Sequence, residues 1–368
     1  MKLKAVLGAF LALAVVAGAH ADILVGQTVG VTGAVAATVK ESMLGAQMYV
    51  DAVNAHGGIK GEKLTILTLD DGFDVKRALA NTKTLVEDKG VVALFMNRGT
   101  PHTEAMIPLL EKYDVALIGP STGAMVLRSP VKRQIFNVRS SYQREAEKAI
   151  EHLSTLGMTR IAVVHVDDSF GRDGLEGAAK GLSRAKLKPA AVAAFDRTKP
   201  DYTKVVAPVM AADAQAVVWI GSGTAVTDGI KALRAAGSTA QVVTLSNNAS
   251  EGFVKALGDA AHGVIVTQVF PYERSVNYAF VKEAMDLARE KKVELSPAMV
   301  EGYASAKVLV EGLRRASPNP TRARLIGALE KMDRYDIGGL TVSYSPTDHS
   351  GLDFADLSIV GSDGKFKR

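Results

Sequence analysis

Residues 42–71, SMLGAQMYVDAVNAHGGIKGEKLTILTLDD, contain the pattern that decides the fold. Apolar residues recur at helical spacing from Ser42 to Ala55, and the run His56-Gly57-Gly58 ends the helix. From Lys63 to Leu69 the chain alternates apolar and polar residues and is rich in β-formers, as a strand is. The stretch therefore predicts a helix followed by a strand, joined by a short turn.

The same alternation runs along most of the chain. The predicted strands are continuous runs of Val, Ile and Leu, which are typical of parallel sheets covered by helices on both faces. They span residues 23–29, 63–69, 91–95, 115–118, 161–166, 190–195, 216–220, 241–245 and 263–269. The predicted helices between them span 42–55, 74–88 (with Asp74 as its cap) and 102–113, and others begin at 171, 201 and 224. The pattern predicts an α/β fold.

Three consecutive helices follow the second series of strands. They span about 276–290, 297–315 and 321–332, and two β-like stretches, 340–344 and 355–360, close the chain. With 368 residues the chain is long enough for two domains. The late helices suggest that the chain returns to complete its first lobe, with crossings near 136–141, 268–272 and 341–346. The predicted division is residues 22–140 plus 271–343 for lobe 1 and 141–270 plus 344–368 for lobe 2.

The first 21 residues have the pattern of an export signal. Lys2 and Lys4 precede an apolar run from Ala5 to Gly18. Ala19 and Ala21 are small residues at the −3 and −1 positions of a cleavage site. The run is too short to span a membrane. We therefore expect cleavage after Ala21 and a soluble protein in the periplasm, without membrane insertion.

Composition excludes several classes of function. The chain has no Cys, which excludes disulfides, thiolate metal sites and a lipid-modified N-terminal cysteine. No pair of His at helical spacing, calcium loop, dinucleotide fingerprint or phosphate loop is present, so we predict no metal and no cofactor. The formal charge of +5 is small, and no basic stripe interleaved with aromatics occurs. Nucleic acid is therefore not an expected partner.

Small polar loops follow the predicted strands. They are Thr32-Gly33, residues 97–100, Ser121-Thr122-Gly123, residues 167–170, residues 221–223 and Ser246-Asn247-Asn248. In open α/β sheets, ligands bind beyond the carboxyl ends of the strands. Backbone N–H groups at helix starts, together with hydroxyl groups, suit a carboxylate. The alternative is that these residues only cap helices.

One of these loops also matches a catalytic motif. The run Gly119-Pro120-Ser121-Thr122-Gly123 has the G-x-S-x-G form of a nucleophile elbow and follows a strand. Such an elbow needs an acid and a histidine later in the chain. Asp259 with His262, or His349, are candidates. A serine hydrolase that uses Ser121 is therefore a remote alternative.

Several stretches carry a family resemblance. They are residues 45–64, 69–78, 119–122, 161–175, 235–237 and 301–304. Together they resemble the leucine/isoleucine/valine-type periplasmic binding proteins, from about Ile23 to about Lys365. The resemblance implies a type I architecture of two Rossmann-like lobes joined by three crossings. It also implies the substrate-binding component of an ABC importer of the branched-chain amino acid class, which closes on its ligand.

The resemblance assigns ligand contacts position by position. The residue that holds the ligand carboxylate through its hydroxyl and backbone falls on Thr100. The next ligand loop falls on Ser121, Thr122 and Gly123, and the family often has a Thr at the last of these positions. The aromatic residue that covers the ligand from lobe 2 falls on Phe170.

Two expected ligand contacts are missing. A second lobe 2 aromatic falls near Gly223, and the acid that holds the ligand ammonium falls near Ser246 or Asn247. A buried ammonium group needs a counter-charge or several acceptors. The loss of the acid therefore favours an organic acid over a simple branched amino acid.

Other substitutions suggest a different shape for the pocket. Family positions that contact a leucine side chain fall on Thr38, Arg98 and Ala298, and the first and last of these are smaller here. Arg98 would pair with a second anionic or hydrogen-bonding group of the ligand, or it would swing out to the surface. Tyr142, at the first crossing, would stack on a ligand ring or pack in the hinge.

The resulting hypothesis is a periplasmic solute-binding protein. It captures an organic or aromatic acid, or an amino acid, in a cleft between the lobes. Its expected partner is an inner-membrane ABC permease, and we expect a monomer that is not an enzyme. A ligand-sensing module that docks on a signalling partner is the main alternative.

Overall fold

The computed structural model describes residues 22–368, and the predicted export signal, residues 1–21, lies outside them. The first part of the chain forms β1 (Ile23–Val29), α1 (Ala36–Ala55), β2 (Leu64–Asp70), α2 (Val75–Lys83), β3 (Ala93–Phe95), α3 (Thr100–Tyr113), β4 (Ala116–Ile118) and β5 (Ile135–Phe136). The middle forms α4 (Tyr142–Thr155), β6 (Ile161–Val166), α5 (Ser169–Arg184), β7 (Val192–Phe195), α6 (Tyr202–Ala211), β8 (Ala216–Ile220), α7 (Thr224–Ala235), β9 (Gln241–Thr244), α8 (Glu251–Leu257) and β10 (Ile265–Gln268). The last part forms α9 (Ala279–Glu290), α10 (Pro297–Ala316), α11 (Arg322–Glu330), β11 (Tyr335–Asp336), β12 (Thr341–Val342), β13 (Asp356–Val360) and β14 (Phe366–Lys367).

Two sheets organise these elements. The first has the order β2-β1-β3-β4-β5, and all its pairs are parallel. The second has the order β14-β13-β10-β9-β8-β6-β7 and is parallel from β10 to β7, with antiparallel β13 and β14 at one edge. The predicted α/β class with parallel-core sheets is confirmed.

Each sheet has its own buried core. Side chains of α1 and of α9 to α11 pack with the first sheet, whereas α4 to α8 pack with the second. We call these two bodies the first and second lobes. Val269, Phe270, Tyr344 and Leu352 pack in the first core, although the predicted division assigns them to lobe 2, because the crossing segments contact the first sheet. The exact boundary residues stay a prediction.

The main differences from the sequence prediction lie at element ends. Helix α1 begins at Ala36 rather than Ser42, because Val35 and Val39 are buried against the loop after β2 and extend the helix. The predicted helix 74–88 becomes π-helical from Thr84 to Asp88. Asp74 caps α2 as predicted, since its Oδ1 accepts a hydrogen bond from the Arg77 N–H at 2.8 Å. The predicted strand 340–344 shrinks to β12, which among residues 22–368 pairs only with β11.

Helices α1 and α10 approach each other through glycines. A Cβ atom at Gly45 would lie 2.0 Å from the Met299 carbonyl oxygen, and one at Gly302 would lie 1.9 Å from the Ser42 carbonyl oxygen. Only residues without a side chain permit this approach. The contact joins an early helix to a late one within the first lobe. None of the helices formed by residues 22–368 is long and apolar enough to cross a membrane.

A buried carboxyl group at the second crossing predicts a pH-dependent stability. Glu273, between β10 and α9, is 3% exposed, and burial raises its pKa from 4.5 to about 7. The folded protein therefore keeps this proton up to about pH 7, whereas the unfolded chain loses it near 4.5. The free energy of unfolding therefore falls as the pH rises between these two values. We expect Glu273→Gln to stabilise the protein at pH 8 by on the order of 1–3 kcal/mol and to change little at pH 4. Urea unfolding at both pH values measures this, and an equal effect at both would contradict it.

Candidate functional site

The strand ends of the two lobes meet at Arg98. This residue follows β3, and its backbone pairs with Ser121, which follows β4. The Arg98 Nη2 donates a hydrogen bond to the carbonyl oxygen of Asn247. Asn247 lies in the 3-10 turn Ser246–Asn248 that follows β9 of the second lobe. The predicted positions Arg98, Ser121 and Asn247 are thus brought together across the lobes.

Arg98 is a buried cation. It is 4% exposed, so the alternative of a swung-out surface arginine is wrong. Within residues 22–368 it forms no ion pair with a carboxylate. Burial lowers its pKa below the usual arginine range, and the Tyr142 and Glu301 side chains act in the opposite direction. A buried charge is costly unless it is paired, so this guanidinium suits an anionic partner.

Three residues with hydroxyl groups lie in or next to the two loops that contain Arg98 and its backbone partner Ser121. Thr100 is the first residue of α3, and its Oγ1 lies 2.8 Å from the Thr122 Oγ1. The Ser121 hydroxyl donates to Glu301 Oε1 at 2.9 Å. All three hydroxyl residues are buried. They form a polar wall on the first-lobe side of the site.

Gly123 is required by the backbone of the first crossing. The Tyr142 N–H donates to the Gly123 carbonyl oxygen at 2.9 Å. A Cβ atom at Gly123 would lie 2.6 Å from the Tyr142 nitrogen and 2.9 Å from the Ser140 carbonyl oxygen. The threonine that the family often has here would clash in this chain.

Two aromatic rings close the second-lobe side. The Phe170 and Tyr142 ring centroids are 4.5 Å apart with an interplanar angle of 51°, and both residues are 3% exposed. The Arg139 guanidinium lies 4.8 Å from the Tyr142 ring centroid. Tyr142 begins α4, which the Ser141 hydroxyl caps. The Tyr142 ring therefore packs in the crossing and also faces the predicted site residue Phe170.

Gly223 is a point of backbone contact between the lobes. The N–H of Thr224 donates to the Ala34 carbonyl oxygen at 3.2 Å, and the N–H of Gly223 donates to Asn248 Oδ1 at 3.0 Å. Gly223 has φ 56° and ψ −130°. A Cβ atom there would lie 1.9 Å from the Ala34 carbonyl oxygen. The aromatic residue expected from the family has no room at this position.

We expect Gly223→Ala to separate the lobes. The added methyl group would overlap the Ala34 backbone, and small-angle scattering should show a larger radius of gyration than for the wild type. Gly237→Ala is the matched control, because Gly237 also has a positive φ of 85°, but a Cβ atom there would meet no described neighbour within 4 Å. Both variants should lose about 1 kcal/mol of stability through backbone strain. Equal compactness of the two variants would contradict the prediction.

Sequence reasoning missed a buried ion network at the first crossing. Arg139 is 1% exposed and donates hydrogen bonds to Glu145 Oε1 and to the Ser246 Oγ. Its Nη1 lies 3.6 Å from Glu301 Oε1. Burial opposes its charge, but the Glu301 and Glu145 carboxylates raise its pKa above the usual range. Arg139 thus connects both lobes from the segment between them.

Glu145 supports the turn where the family has its acid. Its Oε2 accepts hydrogen bonds from the Ser246 N–H at 2.8 Å and from the Thr267 hydroxyl. A signal for this network is present in the sequence, since Arg139 lies in the predicted crossing 136–141 and Glu301 lies one helical turn after Ala298. Glu301 and Ser246 are distant in sequence from Arg139, so their pairing with it follows only from the fold.

The elements of a serine triad are not assembled around Ser121 in the described part of the chain. Its hydroxyl bonds to Glu301 rather than to a histidine. His349 stacks on Phe136 with ring centroids 4.1 Å apart. His262 and Asp259 lie on a surface groove of about 700 Å³.

That groove lies along a series of polar contacts between the lobes. The Thr38 and Ser250 hydroxyl oxygens are 2.8 Å apart, and Glu41 Oε1 accepts a hydrogen bond from the Gly252 N–H at 2.8 Å. Lys365 pairs with Glu294 at 2.7 Å. The lobes therefore contact each other outside the candidate site as well as through Arg98.

Comparison with known proteins agrees with this architecture. The profile of a family described as periplasmic binding protein matches residues 22–360. The chain is 26% identical to the Leu/Ile/Val-binding protein of Escherichia coli (strain K12) over 331 residues, which cover 89% of each chain.

Solved structures show the same fold. A substrate-binding periplasmic protein from Ralstonia solanacearum is 32% identical, with a TM-score of 0.85 over 94% of this chain and 99% of that one. An extracellular ligand-binding receptor from Verminephrobacter eiseniae is 27% identical, with a TM-score of 0.84 over 94% of this chain and 100% of that one. These similarities cover both lobes and the site between them.

Proposed function

The chain belongs to the periplasmic binding protein family, and from this premise we propose that it captures a small carboxylate-bearing solute between its lobes for an ABC importer of the inner membrane. The relative from Escherichia coli is named a Leu/Ile/Val-binding protein, which supports transport of an amino acid or a related acid. We also propose that the protein acts in the periplasm, as a monomer, after cleavage behind Ala21.

The buried Arg98 guanidinium carries this proposal. Among residues 22–368 it has a carbonyl oxygen as its hydrogen-bond partner and no carboxylate. A ligand carboxylate would supply the missing counter-charge in a site shielded from water. Thr100, Ser121 and Thr122 add hydroxyl groups on the same side, and Phe170 covers the site from the second lobe.

Closure would follow from contacts that both lobes contribute. Arg98 reaches Asn247 across the cleft, and Thr224 reaches Ala34. A ligand that binds both lobes favours the arrangement in which they are together. In the closed form, the two lobes together form the surface that contacts the permease.

A thermal-shift screen tests the proposal. Mature protein is unfolded and refolded to remove co-purified ligand, and is then heated with amino acids, their des-amino counterparts, and aromatic and dicarboxylic acids. A ligand at 100 times its Kd adds about 2.7 kcal/mol to the stability of the folded state. We expect stabilisation by a carboxylate compound that is lost with its amide or ester. Stabilisation by neutral compounds alone would contradict the proposal.

A further inference from the structure

Glu301 places a carboxylate beside the proposed anchor for the ligand acid. It lies in the first turns of α10 and is 7% exposed. Its Oε1 accepts the hydrogen bond from Ser121, a residue of the polar wall on the first-lobe side. Its charge also acts on the pKa of Arg98. A cation and an anion therefore flank the same end of the site.

Glu301 forms an ion pair with Arg139 but accepts no hydrogen bond from it. That arginine already donates a hydrogen bond to Glu145, whereas its Nη1 lies 3.6 Å from Glu301 Oε1, beyond hydrogen-bonding distance. The Arg139 contact and the Ser121 contact both involve Glu301 Oε1, and Glu301 Oε2 has no hydrogen bond among the described residues. One carboxylate oxygen thus stays available as an acceptor.

We propose that Glu301 accepts a hydrogen bond from a donor on the carbon atom next to the ligand carboxylate. The donor is an ammonium or a hydroxyl group, so the site selects α-amino or α-hydroxy acids over unsubstituted acids. Because Ser121 pairs with Arg98 through its backbone and donates its hydroxyl proton to Glu301, a donor adjacent to a carboxylate at Arg98 is the one within reach. This inference rests on the proposed function, since it needs an acid bound at Arg98.

Sets of three matched acids test the selection. Each proteinogenic amino acid is compared with its α-hydroxy and its unsubstituted counterpart, as in leucine, 2-hydroxy-4-methylpentanoate and 4-methylpentanoate. Calorimetric titration of the wild type should show at least tenfold tighter binding of the α-substituted member of the best set. In Glu301→Gln this preference should fall below threefold for an ammonium donor, because the charge is lost. A hydroxyl donor should keep most of its preference, because the amide oxygen still accepts.

Two further variants separate recognition from folding. Glu301→Asp keeps the negative charge near Arg139 but withdraws it by one methylene, so it should also lose the preference for the α-substituted acid. Glu145→Gln perturbs the same ion network from the second lobe, and we expect it to change the affinity of all three acids by the same factor. Equal weakening of all three acids by Glu301→Gln, or a wild type without preference, would overturn the inference while leaving the proposed function intact. If no acid of any set binds the wild type, the proposed function fails and this inference fails with it.

Discussion

We expect replacement of Arg98 by methionine to weaken binding of the proposed carboxylate ligand by about a hundredfold. Truncation of one member of a buried, hydrogen-bonded charge pair costs about 2–5 kcal/mol, which corresponds to roughly 30-fold or more in Kd. Methionine fills a similar volume without the charge. Calorimetric titration with the acid found by thermal shift measures the loss. Arg98→Lys should be intermediate, because lysine keeps the charge but loses the planar pair of donors.

The stability of the same variant provides a control. Arg98 forms no ion pair in the described chain, and the nearby Glu301 keeps Arg139 at 3.6 Å, so removal of Arg98 leaves no carboxylate without a cation. We therefore expect the free energy of unfolding of Arg98→Met without ligand to equal or exceed that of the wild type. Unchanged affinity would refute the anchor role, and loss of folding would refute the reasoning about an unpaired cation.

We expect Arg139→Met to have the opposite effect and to lower the free energy of unfolding. It leaves Glu145 and Glu301 buried without their shared cation, and breaking a buried ion pair in this way costs about 3–5 kcal/mol. Urea unfolding monitored by circular dichroism measures the free energy.

An exposed arginine is the matched control for this variant. Arg133 pairs with Asp114 at 2.6 Å, but its side chain is 53% exposed. Surface ion pairs contribute about 0–1 kcal/mol, so Arg133→Met should change stability little. A similar small change in Arg139→Met would show that the network at the first crossing contributes no more than a surface pair.

Much of the fold could be predicted because its signals are local. Continuous apolar strands, Gly-containing turns and the Asp74 cap each act within a few residues, and together they indicate the α/β class. The start of α1 was missed because burial of Val35 and Val39 against a distant loop extends the helix. The short strand β12 was overestimated because its partner, β11, is only two residues long.

The candidate site could also be predicted only in part from the sequence. The loops with Arg98, Ser121 and Asn247 were predicted, because strand ends in a parallel sheet share one edge. The charges that surround them were not predicted, since Glu301 is distant in sequence from Arg139 and Glu145. Their contact depends on how the crossing packs between the lobes, and no local pattern contains that information.

The contact of α1 with α10 has a consequence for how the protein is made. Both helices belong to one core, yet more than two hundred residues separate them along the chain. During synthesis from the N-terminus, the second lobe has its central strands before the first lobe receives its last helices. The part of the first sheet that packs against α9 to α11 thus remains uncovered until almost the whole polypeptide exists. Native contacts of such long separation slow folding. Slow folding leaves time for an unfolded chain to pass through a membrane before its native structure forms.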